Sequence, residues 1–415
     1  MRPVAPRLVG QRLADEVMGR IRVLGALALC LVGCDQRMST NRASPSVLTS
    51  VSVAPPEPPV LARPEPPARG DVKRPPNRPG WAPPVATDTL IVLNGQPCHL
   101  LLQAETDSTH RLSATYEATP GHSERVQGYE GRYTVTLRDS RGGQLFRRQL
   151  RKAAFFKKAG ADIVTESEAY VPELLGYSRS LGALAFTVDF MVPDSDVGAQ
   201  VVVLLDLAGN VLRLSDGRGP GGGPECEPAL SAGGGYLLTA SEVLRPGQPP
   251  LRLDKPNADL VGASFLTDST LLVVYAPGKS HVIRHPDGLE AYGRTPTPEQ
   301  LHAPNAFVRH ARTGRVLSRF RYHGFYQEMG YTIPGYQLRA TATQYLLDEK
   351  RGLYLLPLSP PAPPIELRFT AIPHFVAPKK RAEVRFELHG SSSTFAFYVD
   401  TSSVQPRIRY QQLEE

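Results

Sequence analysis

The sequence predicts an all-β body carried behind an apolar leader and a proline-rich stretch. Three observations lead there. From residue 88 onward, short apolar or alternating segments recur between Gly, Pro, Asp, Asn and Ser, the pattern of many short strands. Turn phrases built on Asp and Gly recur between those segments. Very few stretches sustain a helical period.

The leader is the uncharged run of residues 23–33, with Arg20 and Arg22 just before it. It is too short to span a bilayer, which takes about 20 apolar residues. A basic start, an apolar stretch and small residues at its end describe a secretory signal. The run closes on Leu31-Val32-Gly33-Cys34. This tetrad resembles the lipobox of bacterial lipoproteins. The resemblance implies that the Cys34 thiol receives a diacylglyceryl group and that cleavage makes Cys34 the new N-terminus, with fatty-acyl (palmitate-type) chains in the membrane. Asp15 and Glu16 are out of place in such a signal. A start at Met18 leaves Met18-Gly19-Arg20-Ile21-Arg22 before the apolar run, so Met18 is read as the true start.

Three segments follow from this: a signal at 1–33, a lipidated tether at 34–87 and a body at 88–415. Residues 55–84 hold twelve prolines. Such a stretch cannot bury enough apolar surface to order itself, and proline favours an extended form of about 3.1 Å per residue. The tether is therefore expected to be disordered and to hold the body away from the bilayer.

In the body, strands are expected at 90–93, 99–103, 133–137, 201–205, 236–239, 271–275, 384–388 and 395–399. Short helices are expected at 147–159 and 297–303. The phrases Leu137-Arg138-Asp139-Ser140-Arg141-Gly142-Gly143, Leu205-Asp206-Leu207-Ala208-Gly209-Asn210, His310-Ala311-Arg312-Thr313-Gly314 and Asp348-Glu349-Lys350-Arg351-Gly352 read as hairpin turns. Each needs a positive φ, hence Gly, and an Asp can cap the turn backbone. The phrases around Ser231 and Ser264 resemble each other. Together the two kinds of phrase resemble the hairpins of β-propeller blades. Turn positions 143, 209, 247, 288, 314, 352 and 403 repeat at roughly the blade period of about 40–50 residues, apart from one long and one short interval. Position 288 is read as a loop inside a blade. Six blades are favoured, with seven as the other count. The whole then resembles the poorly characterised bacterial lipoproteins that carry a six-bladed propeller. The alternative is a pair of β-sandwich-like modules, the first near 88–150.

Charge excludes little except nucleic acid. The formal charge is +7 and falls to about +4 once residues 1–33 are removed, which is no basic footprint. Of four cysteines, Cys30 leaves with the signal and Cys34 carries lipid. Cys98 and Cys226 remain, either as buried free thiols or as a disulfide, which export would permit.

Chemistry is sparse. No serine-hydrolase elbow, zinc-protease motif or phosphate loop occurs. The glycine run at 217–224 reads as a loop, because its prolines lack the N–H groups a phosphate cradle needs. His281, His285 and Asp287 are too far apart along a strand to share a metal. Asp194, Ser195 and Asp196 read as solvated turn residues. No metal or cofactor is expected. The informative region is 305–336, rich in Arg and His with six aromatics between Phe320 and Tyr336. Arginine forks suit carboxylates and phosphates, and aromatic faces stack on rings. Arg319, Arg321, Tyr322, His323, Phe325 and Tyr326 are the ligand-binding candidates. The competing reading is plain alternation, with Arg319 and Arg321 in water and Phe320 and Tyr322 inside.

The sequence therefore predicts a non-catalytic binding or scaffold lipoprotein of the cell envelope. It is held to a bacterial membrane by Cys34, inner or outer left open, and presents its body to a ligand, a glycan or a partner protein. The alternative is a cell-envelope hydrolase with its site in a propeller channel.

Overall fold

The computed structural model describes residues 84–413 except 120–121, 218–225, 285–289, 328–329, 359–361 and 403–406. Cys34, the signal, Met18, most of the tether and of the glycine run, His285, Asp287 and positions 288 and 403 lie outside the described residues. Lys73–Glu415 form one unit.

The described chain is all-β and is laid down as six successive antiparallel meanders. The first sheet holds β1 (Val85–Leu93), β2 (Gln96–Thr119), β3 (His122–Asp139) and β4 (Gln144–Arg151). Two short helices follow, α1 (Phe156–Ala159) and α2 (Ala161–Glu166). The second sheet is β5 (Glu173–Ser178), β6 (Ala183–Met191), β7 (Gly198–Asp206) and β8 (Val211–Asp216). The third is β9 (Ala229–Leu230), β10 (Leu237–Leu238), β11 (Glu242–Arg245) and β12 (Gln248–Arg252).

The fourth sheet is interrupted. It pairs β13 (Ala258–Phe265) and β14 (Thr270–Pro277) directly with two later strands, at residues 306–310 and 316–320. Between them the chain makes a separate hairpin, β15 (Ser280–Arg284) with β16 (Glu290–Arg294), and then α3 (Pro298–His302). It returns as β17 (Ala306–His310) and β18 (Val316–Phe320). A second small hairpin, β19 (Phe325–Gln327) with β20 (Gly330–Thr332), leads into the fifth sheet. That sheet is β21 (Gly335–Leu338), β22 (Thr343–Asp348), β23 (Gly352–Pro357) and β24 (Ile365–Arg368). The sixth is β25 (Glu383–His389), β26 (Thr394–Asp400) and β27 (Arg407–Leu413).

Alternation explains how the sheets stack. Side chains on a strand point to opposite faces in turn, so a central strand that is apolar throughout must be covered on both sides. In β6, Leu184, Phe186, Val188 and Phe190 join a core with the first sheet. Ala183 and Ala185, which alternate with them, face a core shared with the third. In β14, Leu271, Val273 and Tyr275 pack with the third sheet, whereas Leu272, Val274 and Ala276 pack with the fifth. The fifth and sixth sheets share Tyr345, Leu353, Phe386 and Phe397. Among the described residues every such cluster joins consecutive sheets, and none joins the sixth to the first. The outward face of the first sheet carries His99, Gln103, Arg147 and Gln149. That of the sixth carries Arg385, Glu387 and Gln411. The outward face of the sixth sheet is largely polar, whereas that of the first also carries Leu90, Val92 and Leu101, the first two exposed.

The expected turns are present and closed as their chemistry requires. Asp139 Oδ1 accepts from Arg141 N and Gly143 N at 2.9 and 2.7 Å. Asp206 Oδ1 accepts from Ala208 N and Asn210 N at 2.9 and 2.7 Å, with Gly209 at φ +84°. At the third turn His310 replaces Asp, and its Nδ1 accepts from Arg312 N at 3.2 Å. The Ser231 and Ser264 phrases both span strand pairs, and their tips touch where Asp268 accepts from Gly233 N.

Three expectations need correction. Residues 147–151 are strand, and the helical stretch begins only with a 3-10 turn at Lys152–Phe155. Residues 85–87 belong to β1, not to the tether. Cys98 and Cys226 are buried and are not joined in a disulfide. They lie in different cores, one between the first two sheets and one between the third and fourth, so the disulfide reading does not hold. The long 143–209 interval is filled by α1, α2 and most of a complete sheet. The short interval reflects the β15–β16 insertion inside the fourth sheet.

Candidate functional site

The candidate residues 319–326 lie at the edge of the fourth sheet and in the small hairpin beyond it. Alternation holds as far as Tyr322: Phe320 and Tyr322 are buried and Arg319 is exposed. Tyr322 is a structural tie. Its hydroxyl donates to Leu347 O at 2.8 Å. Asn305 clamps its backbone, accepting from Tyr322 N at 2.8 Å and donating to Tyr322 O at 3.0 Å. Burial, then the nearby Tyr331 and Asp348, push the Tyr322 hydroxyl well above the ordinary tyrosine range. The Arg321 carbonyl accepts from the Tyr354 hydroxyl at 2.7 Å. The chain is thereby pinned to the fifth sheet up to this point.

His323 then turns onto Asp348. The Asp348 side chain is fully buried, and its Oδ2 accepts from His323 N at 3.1 Å and lies 2.8 Å from His323 Nδ1. An acceptor-only carboxylate assigns a proton to Nδ1. No hydroxyl or thiol is bonded to Nε2 among the described residues. Next comes Gly324, whose N–H donates to the Tyr331 hydroxyl at 2.7 Å. A Cβ there would sit 2.6 Å from the Tyr331 ring, so only glycine allows this approach. Burial pushes the Tyr331 hydroxyl up to about 12, against the lowering pull of the Gly324 N–H.

Beyond Gly324 the hairpin β19–β20 forms one wall of a cleft of about 480 Å³. Tyr326 and Tyr331 line that wall, their rings edge-to-face with centroids 5.0 Å apart. The floor is apolar: Ala276 and Pro277 at the end of β14, Pro296, and Leu301 on α3. α3 is fixed by a capping box, in which Thr297 and Gln300 exchange side-chain and backbone hydrogen bonds, with Pro298 in the first turn.

One charged group enters the cleft. Arg294, from β16, lies with its guanidinium 5.2 Å from the Tyr326 ring centroid and bonds the Tyr326 hydroxyl. Its Nε donates to Asp259 Oδ2 at 3.0 Å. Lys279 reaches the other oxygen of Asp259 at 3.0 Å, and Ser280 N donates to Oδ2 at 2.8 Å. Burial would raise the Asp259 carboxyl. The bonds from Ser280, Lys279 and Arg294 outweigh it and bring the carboxyl down to about 2. Two cations thus share one carboxylate.

Of the candidates, Tyr326 is in the cleft, His323 is next to Gly324, and Arg319, Arg321 and Tyr322 belong to the sheet edge. Phe325 is half-buried at the start of β19. Arg294, Tyr331 and Asp259 were not singled out as binding residues from the sequence. No local motif marks Arg294 or Asp259, because the β15–β16 insertion brings them together across 35 positions. Asp194, Ser195 and Asp196 form a closed turn, with Ser195 Oγ donating to Val192 O at 3.1 Å. Among the described residues no cluster of His, Cys, Asp and Glu is placed to hold a metal, and no helix is long and apolar enough to cross a membrane.

No protein-family model matches the chain, and no curated protein matches it. Among solved structures, TolB from Acinetobacter baumannii aligns over 80% of this chain and 83% of its own, at 11% identity and a TM-score of 0.22. A likeness at that level carries no argument about function.

Proposed function

We propose that the chain is a lipid-anchored, non-catalytic binding protein of the bacterial cell envelope, which takes its ligand in the cleft between the two inserted hairpins. The observation that carries the binding reading is the composition of that cleft. Its lining has aromatic and apolar residues, one serine and one arginine, and among the described residues no Asp, Glu, His or Cys. Such a lining can hold a ligand, and no carboxylate or imidazole among the described residues lines it to activate the Ser280 hydroxyl. The anchor rests on the Arg20-to-Cys34 pattern alone.

The body is read as a six-bladed, propeller-like stack. Six meanders in sequence order and five apolar interfaces between neighbours support this count. They also leave no seam at which two sandwich modules would part. Ring closure would set the outward face of the first sheet, with its exposed Leu90 and Val92, against the polar outward face of the sixth.

The second reading, a hydrolase, draws on the His323–Asp348 pair, an oriented imidazole. It lacks a bonded nucleophile among the described residues.

Two experiments separate these readings. The wild-type chain should sediment with membranes and take up label from a fatty-acid precursor, and Cys34→Ala should be soluble and unlabelled. A Cys34→Ala protein that still sediments and still takes up label removes the anchor. The soluble Cys34→Ala chain should bind anilinonaphthalene sulfonate with 1:1 stoichiometry in a Tyr326-dependent way and leave chromogenic esters intact. Turnover abolished by His323→Ala would establish the hydrolase instead.

A further inference from the structure

We propose that the cleft selects a small, planar, apolar ligand carrying a single carboxylate, an inference that rests on the binding reading above. Three features define this class. The first is shape: Tyr326 is the exposed member of an aromatic wall, and a flat ring gains most from such a face. The second is the floor. Ala276, Pro277, Pro296 and Leu301 present no side-chain hydrogen-bonding group. The lining hydroxyls are on Ser280, Tyr326 and Tyr331, not on this floor, and the Tyr326 and Tyr331 hydroxyls already accept from Arg294 and from Gly324 N. A sugar pressed against this floor would bury hydroxyls without partners, which is costly. An apolar ring would not.

The third feature is charge. Lys279 and Arg294 together face one carboxylate, Asp259, so the cluster carries one uncompensated positive charge. Arg294 commits Nε to Asp259 and Nη1 to the Tyr326 hydroxyl. Among the described residues its Nη2 has no partner. The guanidinium lines the cleft 5.2 Å from the Tyr326 ring centroid, within reach of a carboxylate on a ring stacked against Tyr326. A second carboxylate would complete the cluster as two cations and two anions. A ligand with two or more negative charges would exceed that balance.

The test uses the soluble Cys34→Ala chain and calorimetric titration with three probes. 2-Naphthoate has the ring and the charge, 2-naphthalenemethanol the ring alone, and galacturonate the charge on a sugar. Naphthoate should bind 1:1, about tenfold tighter than the alcohol, the effect of one charge-assisted hydrogen bond. Galacturonate should bind more weakly than either. Arg294→Gln should erase the preference for naphthoate over the alcohol, and Tyr326→Ala should weaken both. Because Arg294 also holds Asp259, Lys279→Gln provides a second variant at an exposed position. It should narrow the preference two- to threefold, roughly half of the charge effect on a logarithmic scale, while the melting temperature stays at the parent value.

Equal binding of naphthoate and the alcohol, or tighter binding of galacturonate, overturns the ligand class. If that binding still depends on Tyr326, the binding reading stands. Failure of all three probes also overturns the class. The binding reading itself falls if 2-naphthyl acetate is hydrolysed and His323→Ala abolishes the hydrolysis.

Discussion

Lys152→Met is expected to destabilise the first sheet more than any surface change. Lys152 is fully buried and opens the 3-10 turn that follows β4. Its ammonium donates to Tyr129 O at 3.0 Å, Thr165 O at 3.3 Å and Ser167 O at 2.7 Å. Three protons meet three carbonyls, and those carbonyls belong to β3, to α2 and to the residue that follows α2. Gly131 makes room for the stem, since a Cβ there would sit 2.7 Å from Lys152 Cδ. Methionine keeps much of the stem and removes every donor. Each buried acceptor left unpaired costs about 1–3 kcal/mol. Some relaxation lets water reach the end of α2, so about 3 kcal/mol is expected for the set. The assay is guanidinium unfolding of the Cys34→Ala chain, where the midpoint should fall with the slope unchanged. A loss under about 1 kcal/mol would refute the reasoning. The pH dependence is a second readout. Burial lowers the Lys152 ammonium to about 8, against the raising pull of Glu130 and Glu168. The folded state therefore sheds this proton first. Between about 8 and the ordinary lysine value the unfolded chain holds more protons, so stability rises with pH across that window. Lys152→Met should lack that rise.

The other predictions follow from single contacts. Asp259, lowered to about 2, contributes stability above its unfolded pKa that is lost as pH falls from about 4 towards 2. Thermal melts of Asp259→Asn should lack that acid-side loss. Gly209→Ala places a Cβ at φ +84° and 2.8 Å from Phe146. It should cost about 1–2 kcal/mol from the backbone alone, read as a lower denaturation midpoint. Tyr322→Phe removes one buried hydrogen bond, to Leu347 O, and should cost about 1 kcal/mol by the same assay.

The strands and turns were legible because their chemistry is local. Asp139, Asp206 and Asp348 sit where a carboxylate can take the turn N–H groups, with a glycine a few residues on. The stacking was legible in part, since strands such as Val201 to Leu205 are apolar on both faces. The 147–151 stretch misled because Phe146 and Leu150 are four apart, a spacing that suits one face of a helix and one face of a strand alike. β4 is a sheet-edge strand, so its exposed Arg147, Arg148 and Gln149 gave no alternation to decide the matter. Register against β3, which decided it, is not a property of that segment. The site was half legible. The aromatic density at 320–336 falls on the hairpin that lines the cleft, but its arginines are at the sheet edge. The arginine in the cleft, Arg294, arrives from an insertion that local sequence does not connect to Tyr326.

The central claim is that this body holds a ligand in the cleft between its two inserted hairpins. Hydrogen–deuterium exchange of the Cys34→Ala chain, with and without saturating 2-naphthoate, tests it most directly. Added protection is expected at 276–280, 293–301 and 325–332, and a higher naphthoate concentration should be needed for it in Tyr326→Ala. Protection centred elsewhere, or an unchanged concentration dependence in Tyr326→Ala, would contradict it.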